Sequence, residues 1–163
     1  MTLQIKDSIE QTYRHHVIDC AGAQLLISAR SLATVCRVEG EVDAANAENL
    51  TQEIRHYARL KSPLIIDFSR VEFLGLAGFR GLLVIVEEQR KSHLHCSVIA
   101  GATMRPLLRI VTDHSLPLVA SMAEALQQID DVVQAHRQFF SDIVSQRQVR
   151  CADSVARAAG MGS

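Results

Sequence analysis

The sequence predicts an α/β fold: a mixed β-sheet of about five strands packed with about four helices, with extensions at both ends. Three observations predict it. Pro63-Leu64-Ile65-Ile66-Asp67-Phe68 is a continuous apolar run rich in β-branched residues. That is the signature of a central strand covered on both faces. Soon after it the period changes, and Leu76, Phe79, Leu83 and Val86 recur at helical spacing. Finally, the same change of period repeats along the chain, with short connections between the segments.

Taken in order, residues 1–23 form an accessory segment. Ile5, Ile9 and Tyr13 carry a helical period, and His15-His16-Val17-Ile18 suits an extended chain. Residues 24–29 and 33–39 read as two strands joined by a tight turn near Ser31, an antiparallel hairpin. Gly40-Glu41-Val42-Asp43 ends the second strand, and Asp43 can accept backbone donors at the start of a helix over 44–59. That helix places Ala47, Leu50, Ile54 and Ala58 on one stripe. The central strand follows from Pro63. Ser69 to Phe73 reads as its connection to the helix that opens at Leu76. Gly75, Gly78 and Gly81 stand three apart at this entrance, where each glycine weakens a helix by about 1 kcal/mol relative to Ala. Such a cost implies a close approach to the backbone by a strand, a ligand or a partner. Leu94 to Ala100 is a further buried strand. Thr103 is placed to cap a helix over 104–111, with Pro106 tolerated in its first turn. Leu116 to Val119 suits an edge strand because of Pro117. Ser121 and Glu124 form a capping box for a last helix with Ala125, Ile129, Val132 and Val133 inward. Its apolar period continues through Phe139, Phe140 and Ile143 to about Val149. Two adjacent phenylalanines left in water are costly, since burying each is worth about 1.5–3 kcal/mol. The helix therefore either folds back or meets another chain, and a homo-oligomer through it is one expectation. The end of the chain, from Ala156, is small and suits a flexible tail.

Composition narrows the function. A net charge of −1 over 163 residues argues against a dedicated nucleic-acid binder. The N-terminus lacks the apolar core of a signal peptide, and the longest apolar run, Leu82 to Val86, is far short of a bilayer span. A cytoplasmic chain is expected. Cys20, Cys36, Cys96 and Cys151 show no metal-type spacing and read as free thiols; Cys20 and Cys151 are the one pair to consider for redox chemistry.

The stretch Asp67-Phe68-Ser69-Arg70-Val71-Glu72-Phe73-Leu74-Gly75-Leu76-Ala77-Gly78-Phe79 resembles the STAS domain, shared by bacterial anti-sigma factor antagonists and the tails of sulfate transporters. The family pattern here runs roughly D-L-S-x-V-x-F-I-D-S-S-G-L. The hydrophobic frame and Gly78 agree, and Gly40-Glu41-Val42-Asp43 is similar to the family's Gly-Glu-Leu-Asp. The resemblance covers residues 24–136 as a STAS domain, leaving 137–163 as a helical extension and flexible tail. It implies a partner surface formed by Asp43, Gly75, Leu76, Ala77, Gly78, Phe79 and Arg80. It also implies an anti-sigma factor of the serine-kinase type as partner. In family antagonists the second serine of the Asp-Ser-Ser triplet accepts phosphate from that kinase. Here Gly75, Leu76 and Ala77 stand in its place, so the phosphosite position is Ala77 and carries no hydroxyl. Leu76 is either a surface contact or packs inward on Phe73.

Other chemistry finds little support in the sequence. Gly75-x-x-Gly78-x-x-Gly81 is neither a dinucleotide fingerprint nor a P-loop. His93 and His95 share a face if extended, but two histidines make a poor zinc site. Asp67 and Glu72 lack a paired nucleophile, and an aspartate near a strand end more often bonds nearby backbone. No catalytic residue, metal or cofactor is expected. The reading is a protein-binding regulator acting by partner switching; the alternative is a STAS-fold small-molecule sensor or scaffold subunit without sigma-factor control.

Overall fold

A computed structural model describes residues 16–30 and 32–160, with side chains as far as 150. The helical period through Ile5, Ile9 and Tyr13 lies outside the described residues, as does Ser31 in the hairpin turn.

Six strands form one sheet in the order β1-β2-β3-β4-β5-β6. They are β1 (His16–Asp19), β2 (Ala23–Arg30), β3 (Ala33–Val42), β4 (Leu64–Leu74), β5 (Cys96–Ile99) and β6 (Leu118–Val119). The first two pairings are antiparallel, and Arg30 faces Ala33 across the expected hairpin. From β3 onward the pairings are parallel. Parallel neighbours need crossovers, and the chain supplies them as α1 (Ala47–Ala58), α2 (Leu76–Lys91) and α3 (Arg105–Ile110). A last helix, α4 (Met122–Gly160), follows β6.

The central strand is as buried as its apolar run predicts. Leu64, Ile65 and Ile66 have no exposed surface, and side chains on both faces of the sheet are covered. The main core joins Cys36, Val38, Leu64, Ile66, Phe68, Cys96 and Val98 to Leu50 and Ile54 of α1 and Phe79, Leu82 and Val86 of α2. The α1 stripe is the expected one, Ala47, Leu50, Ile54 and Ala58. Arg55 of α1 donates to Glu88 of α2 through two bonds of 2.9 and 2.5 Å, tying the two helices together outside that core.

Several elements differ from the sequence reading. Ser69 to Phe73 is not a connection: β4 runs on to Leu74. Its pairing with β3 shifts register between Arg37 and Glu39 and between Gly40 and Glu41, so bulges break the alternation by which the strand would be recognised. Asp67 is therefore inside the strand. It is buried, accepts from the Ser69 N–H at 2.9 Å, and forms an ion pair with Arg37 on β3 at 3.1 Å. His16 to Asp19 pairs along the whole of its length with β2. Thr103 does not cap α3; its hydroxyl donates to the Val71 carbonyl at 3.3 Å and pins the loop to β4. His93 is exposed in the turn before β5, where its φ is 55°, so it shares no strand face with His95.

The chain divides into two compact units, residues 1–129 and 130–163. In the first, α4 buries Ala125 and Ile129. Glu124 accepts from the Ala120 N–H at 2.7 Å, and Ser121 accepts from the Glu124 N–H at 3.2 Å, a capping box displaced by one residue on one side. In the second, α4 continues to Gly160, past the point near Val149 where the apolar period ends. Val132, expected inward, is 40% exposed. Ala156 to Gly160 is helical rather than a loose tail; 161–163 lie outside the described residues.

Candidate functional site

The site is built where β3 and β4 end side by side. Val42 and Leu74 are register partners, so the residues that follow them, Asp43 and Gly75, emerge together. The Gly75 N–H donates to the Val42 carbonyl at 2.8 Å, and the Gly75 carbonyl accepts from the Phe79 N–H at 3.2 Å. The entrance of α2 is thus tied to β3 by a backbone hydrogen bond, with no side-chain cap.

Glycine is required at two points by close approach. A Cβ on Gly78 would come within 2.6 Å of Val42 Cγ1 and 2.9 Å of Leu74 Cδ1. A Cβ on Gly81 would collide with the Thr51 hydroxyl of α1. The close approach implied by the spaced glycines is therefore made by a strand and a helix of the same chain. At Gly75 the nearest atoms to such a Cβ are at 3.5–3.7 Å, an ordinary contact, and φ is −79°.

The turn into α1 is fixed by Asp43 and Asn46. Asp43 Oδ1 accepts from the Ala45 and Asn46 N–H groups at 2.9 and 3.1 Å. Asn46 Oδ1 accepts from the Asp43 N–H at 3.0 Å, while its Nδ2 donates to the carbonyls of Ala21 and Glu41 at 3.1 and 2.8 Å. Asn46 is 1% exposed and fully satisfied, joining the β1–β2 turn, the end of β3 and the start of α1. The α1 helix itself begins at Ala47, three residues after the Ala44 start read from the sequence.

Of the residues singled out from sequence, the structure brings Asp43, Gly75, Leu76, Ala77 and Arg80 to one surface. Gly78 and Phe79 lie beneath it; Phe79 has no exposed surface and belongs to the core. The buried stripe of α2 runs through Phe79, Leu82, Ile85, Val86 and Gln89. Leu76 falls outside that stripe and is 48% exposed; it does not turn inward. Phe73, one strand residue before Leu74, is 52% exposed, and its ring edge lies beside Gly75. Sequence reasoning missed Phe73 as a surface residue because it took the segment for a loop. An alternating strand signal would have placed Phe73 opposite the buried Leu74. The surface thus offers an apolar centre, Phe73 and Leu76, with exposed Asp43 and Arg80 beside it.

The thiols are remote from chemistry. Burial pushes the Cys36 and Cys96 thiols up to about 12, with the neighbouring Cys96 adding to the effect on Cys36. Cys20 has no exposed surface, and its pKa is raised by burial and by the nearby Glu53 and Asp19. The Cys151 side chain lies outside the described residues. Among the described residues no group of three or more His, Cys, Asp or Glu could hold a metal, and no helix is long and apolar enough to cross a membrane.

Comparison with known proteins supports the fold. Residues 27–102 match the family described as the STAS domain. The chain is 26% identical over 133 residues to osmosensory protein A of Mycobacterium tuberculosis H37Rv, spanning 78% of this chain and 84% of that one. It superposes on an anti-sigma factor antagonist from Mycobacterium paratuberculosis with a TM-score of 0.57 and 30% identity, covering 66% of this chain and 94% of that one. The unphosphorylated anti-sigma factor antagonist SpoIIAA shares the fold at a TM-score of 0.55 and 17% identity, covering 66% and 96% of the two chains. The chain belongs to the STAS domain family, and the solved structures it resembles include anti-sigma factor antagonists.

Proposed function

We propose that the chain is a non-enzymatic, cytoplasmic regulator that docks on an anti-sigma factor of the serine-kinase type and releases its sigma factor by partner switching. The regulatory domain is residues 24–136, and 137–163 is an extension. The observation that supports this reading most is the exposed Leu76–Ala77 step at the entrance of α2, flanked by Phe73, Arg80 and Asp43. A half-exposed apolar centre with a charged rim is the usual anatomy of a protein contact. Ala77 holds the position at which family antagonists carry the phosphate-accepting serine. A phosphoserine adds close to two negative charges, which block docking by charge and bulk. A methyl group cannot be switched in that way, so this chain acts as a permanently unphosphorylated antagonist or as a decoy.

The test is incubation with the cognate kinase and ATP. The wild type is expected to bind and to remain unlabelled. Leu76→Asp is expected to abolish binding while leaving the melting temperature in place, because Leu76 lies outside the core. The triple variant Gly75→Asp, Leu76→Ser, Ala77→Ser is expected to take label. Phosphate on wild-type Ser69 or another nearby hydroxyl, with loss of binding, would move the switch along the chain. Failure to bind any kinase of this type, together with a ligand that co-purifies, would favour the small-molecule sensor instead.

A further inference from the structure

We propose that α4 pairs with α4 of a second copy of this chain, antiparallel, with the twofold axis level with Gln138. The observation is an apolar face left in water. Phe139 and Phe140 are 63% and 62% exposed, Ile143 is 42% exposed and Val144 is 54% exposed. Val133, His136, Phe140, Ile143 and Arg147 recur at alternating spacings of three and four, the seam of a two-helix coiled coil. Val144 and Phe139 flank that seam on either side.

The occupant is chosen by the sequence of the seam itself. Antiparallel pairing about Gln138 sets His136 against the second copy's Phe140, and Val133 against the second copy's Ile143. It also brings Asp130 to within one residue of level with the second copy's Arg147, once at each end, within reach of the long arginine side chain. Both residues are exposed, and Asp130 otherwise accepts only from Gln134 one turn away, at 3.1 Å. Parallel pairing would instead stack Arg147 on Arg147 in the seam, and like charges there oppose association. The face is therefore complementary to its own reverse, a property an isologous contact needs and an unrelated partner does not.

The full chain is tested by sedimentation equilibrium across a concentration series, alongside circular dichroism. The wild type is expected to dimerise reversibly. Phe140→Asp is expected to weaken the dimer by at least about tenfold, since a central aromatic anchor is lost, with helix content kept. Arg147→Asp weakens it, and adding Asp130→Arg in the same chain restores it. Spin labels on Gln148→Cys, in a Cys151→Ser background, are expected about 30 Å apart, from the 1.5 Å rise over the residues that separate them. A parallel pair would hold them within about 10–15 Å, near the interaxial distance of packed helices. Monomer at every concentration, a short label distance, a dimer indifferent to Phe140→Asp, or a monomer that instead sediments with lipid vesicles would each overturn the proposal.

Discussion

Asp43 and Asn46 bond each other's backbone amide: the Asp43 N–H donates to Asn46 Oδ1 at 3.0 Å, and the Asn46 N–H donates to Asp43 Oδ1 at 3.1 Å. This is the reciprocal logic of a capping box, built from two short side chains. The two residues do not matter equally. Asn46 also satisfies two carbonyls from elsewhere in the fold, so Asn46→Ala leaves three part-buried backbone groups without their partner. We expect a loss of about 2–4 kcal/mol for Asn46→Ala and about 1 kcal/mol for Asp43→Ala. Urea unfolding of both variants checks the order; equal losses would remove Asn46 from its bridging role.

The glycines of α2 should separate cleanly by substitution. Gly78→Ala drives a methyl into Val42, a stiff β-branched residue in the core, and Gly81→Ala drives one into Thr51. Each is expected to destabilise by about 1–3 kcal/mol through overpacking. Gly75→Ala meets only ordinary contacts and should be close to neutral. Thermal melts of the three single variants decide this, and a costly Gly75→Ala would contradict the geometry.

The Arg37–Asp67 pair is a second load on the sheet. Asp67 is 3% exposed, and its two oxygens are used by the Arg37 guanidinium and the Ser69 amide. Arg37→Met leaves the carboxylate buried with one partner, a loss of about 1.5–3 kcal/mol for a charged hydrogen bond. The double variant Arg37→Met, Asp67→Leu should recover part of that loss, because no buried charge is then left unpaired. A double variant worse than the single would refute it.

Thiol chemistry should report burial. With Cys36 and Cys96 pushed up to about 12, almost no thiolate exists near pH 8. Cys20, Cys36 and Cys96 are expected to resist alkylation in the native protein and to react together on unfolding, read by mass spectrometry. A Cys20–Cys151 bridge would first require Cys20 to leave its buried place. Rapid native labelling of Cys20 is the result that would reopen the redox reading.

His95 should make stability fall in mild acid. Burial lowers its pKa below the ordinary 6.5, and its ring bonds the Ser97 hydroxyl at 3.1 Å. The unfolded chain then binds the proton more tightly than the folded one. This contribution is fully present above 6.5 and is lost as pH falls through the lower folded value. Denaturant midpoints taken at several values between pH 5 and 8 should drop less for His95→Gln than for the wild type.

Much of this fold was legible because its core obeys simple periods. The 64–68 run, the α1 stripe and the hairpin all carry enough apolar repetition to be read directly. The second half of β4 was not, because its bulges interrupt the alternation and Ser69, Arg70, Glu72 and Phe73 face outward. Nor was β1, an edge strand with three of its four residues exposed. Leu76 and Ala77, singled out through their place in a motif, are both exposed. Phe73 was hidden by the misread strand. Asn46 was hidden because a buried, satisfied amide leaves no periodic trace.

The turn at Gly75 takes its shape from the Val42 carbonyl and the Phe79 amide, and from no side chain at positions 75 to 77. Form and regulation are therefore separately heritable here. Under the proposed function, a hydroxyl could enter at position 76 or 77 by changing a few codons without removing a bond that shapes the turn. A paralogue with the serine and one without it could share a single partner. If the proposed kinase is that partner, their ratio in the cell would set how much of the response listens to it, a dial adjusted by expression rather than by chemistry.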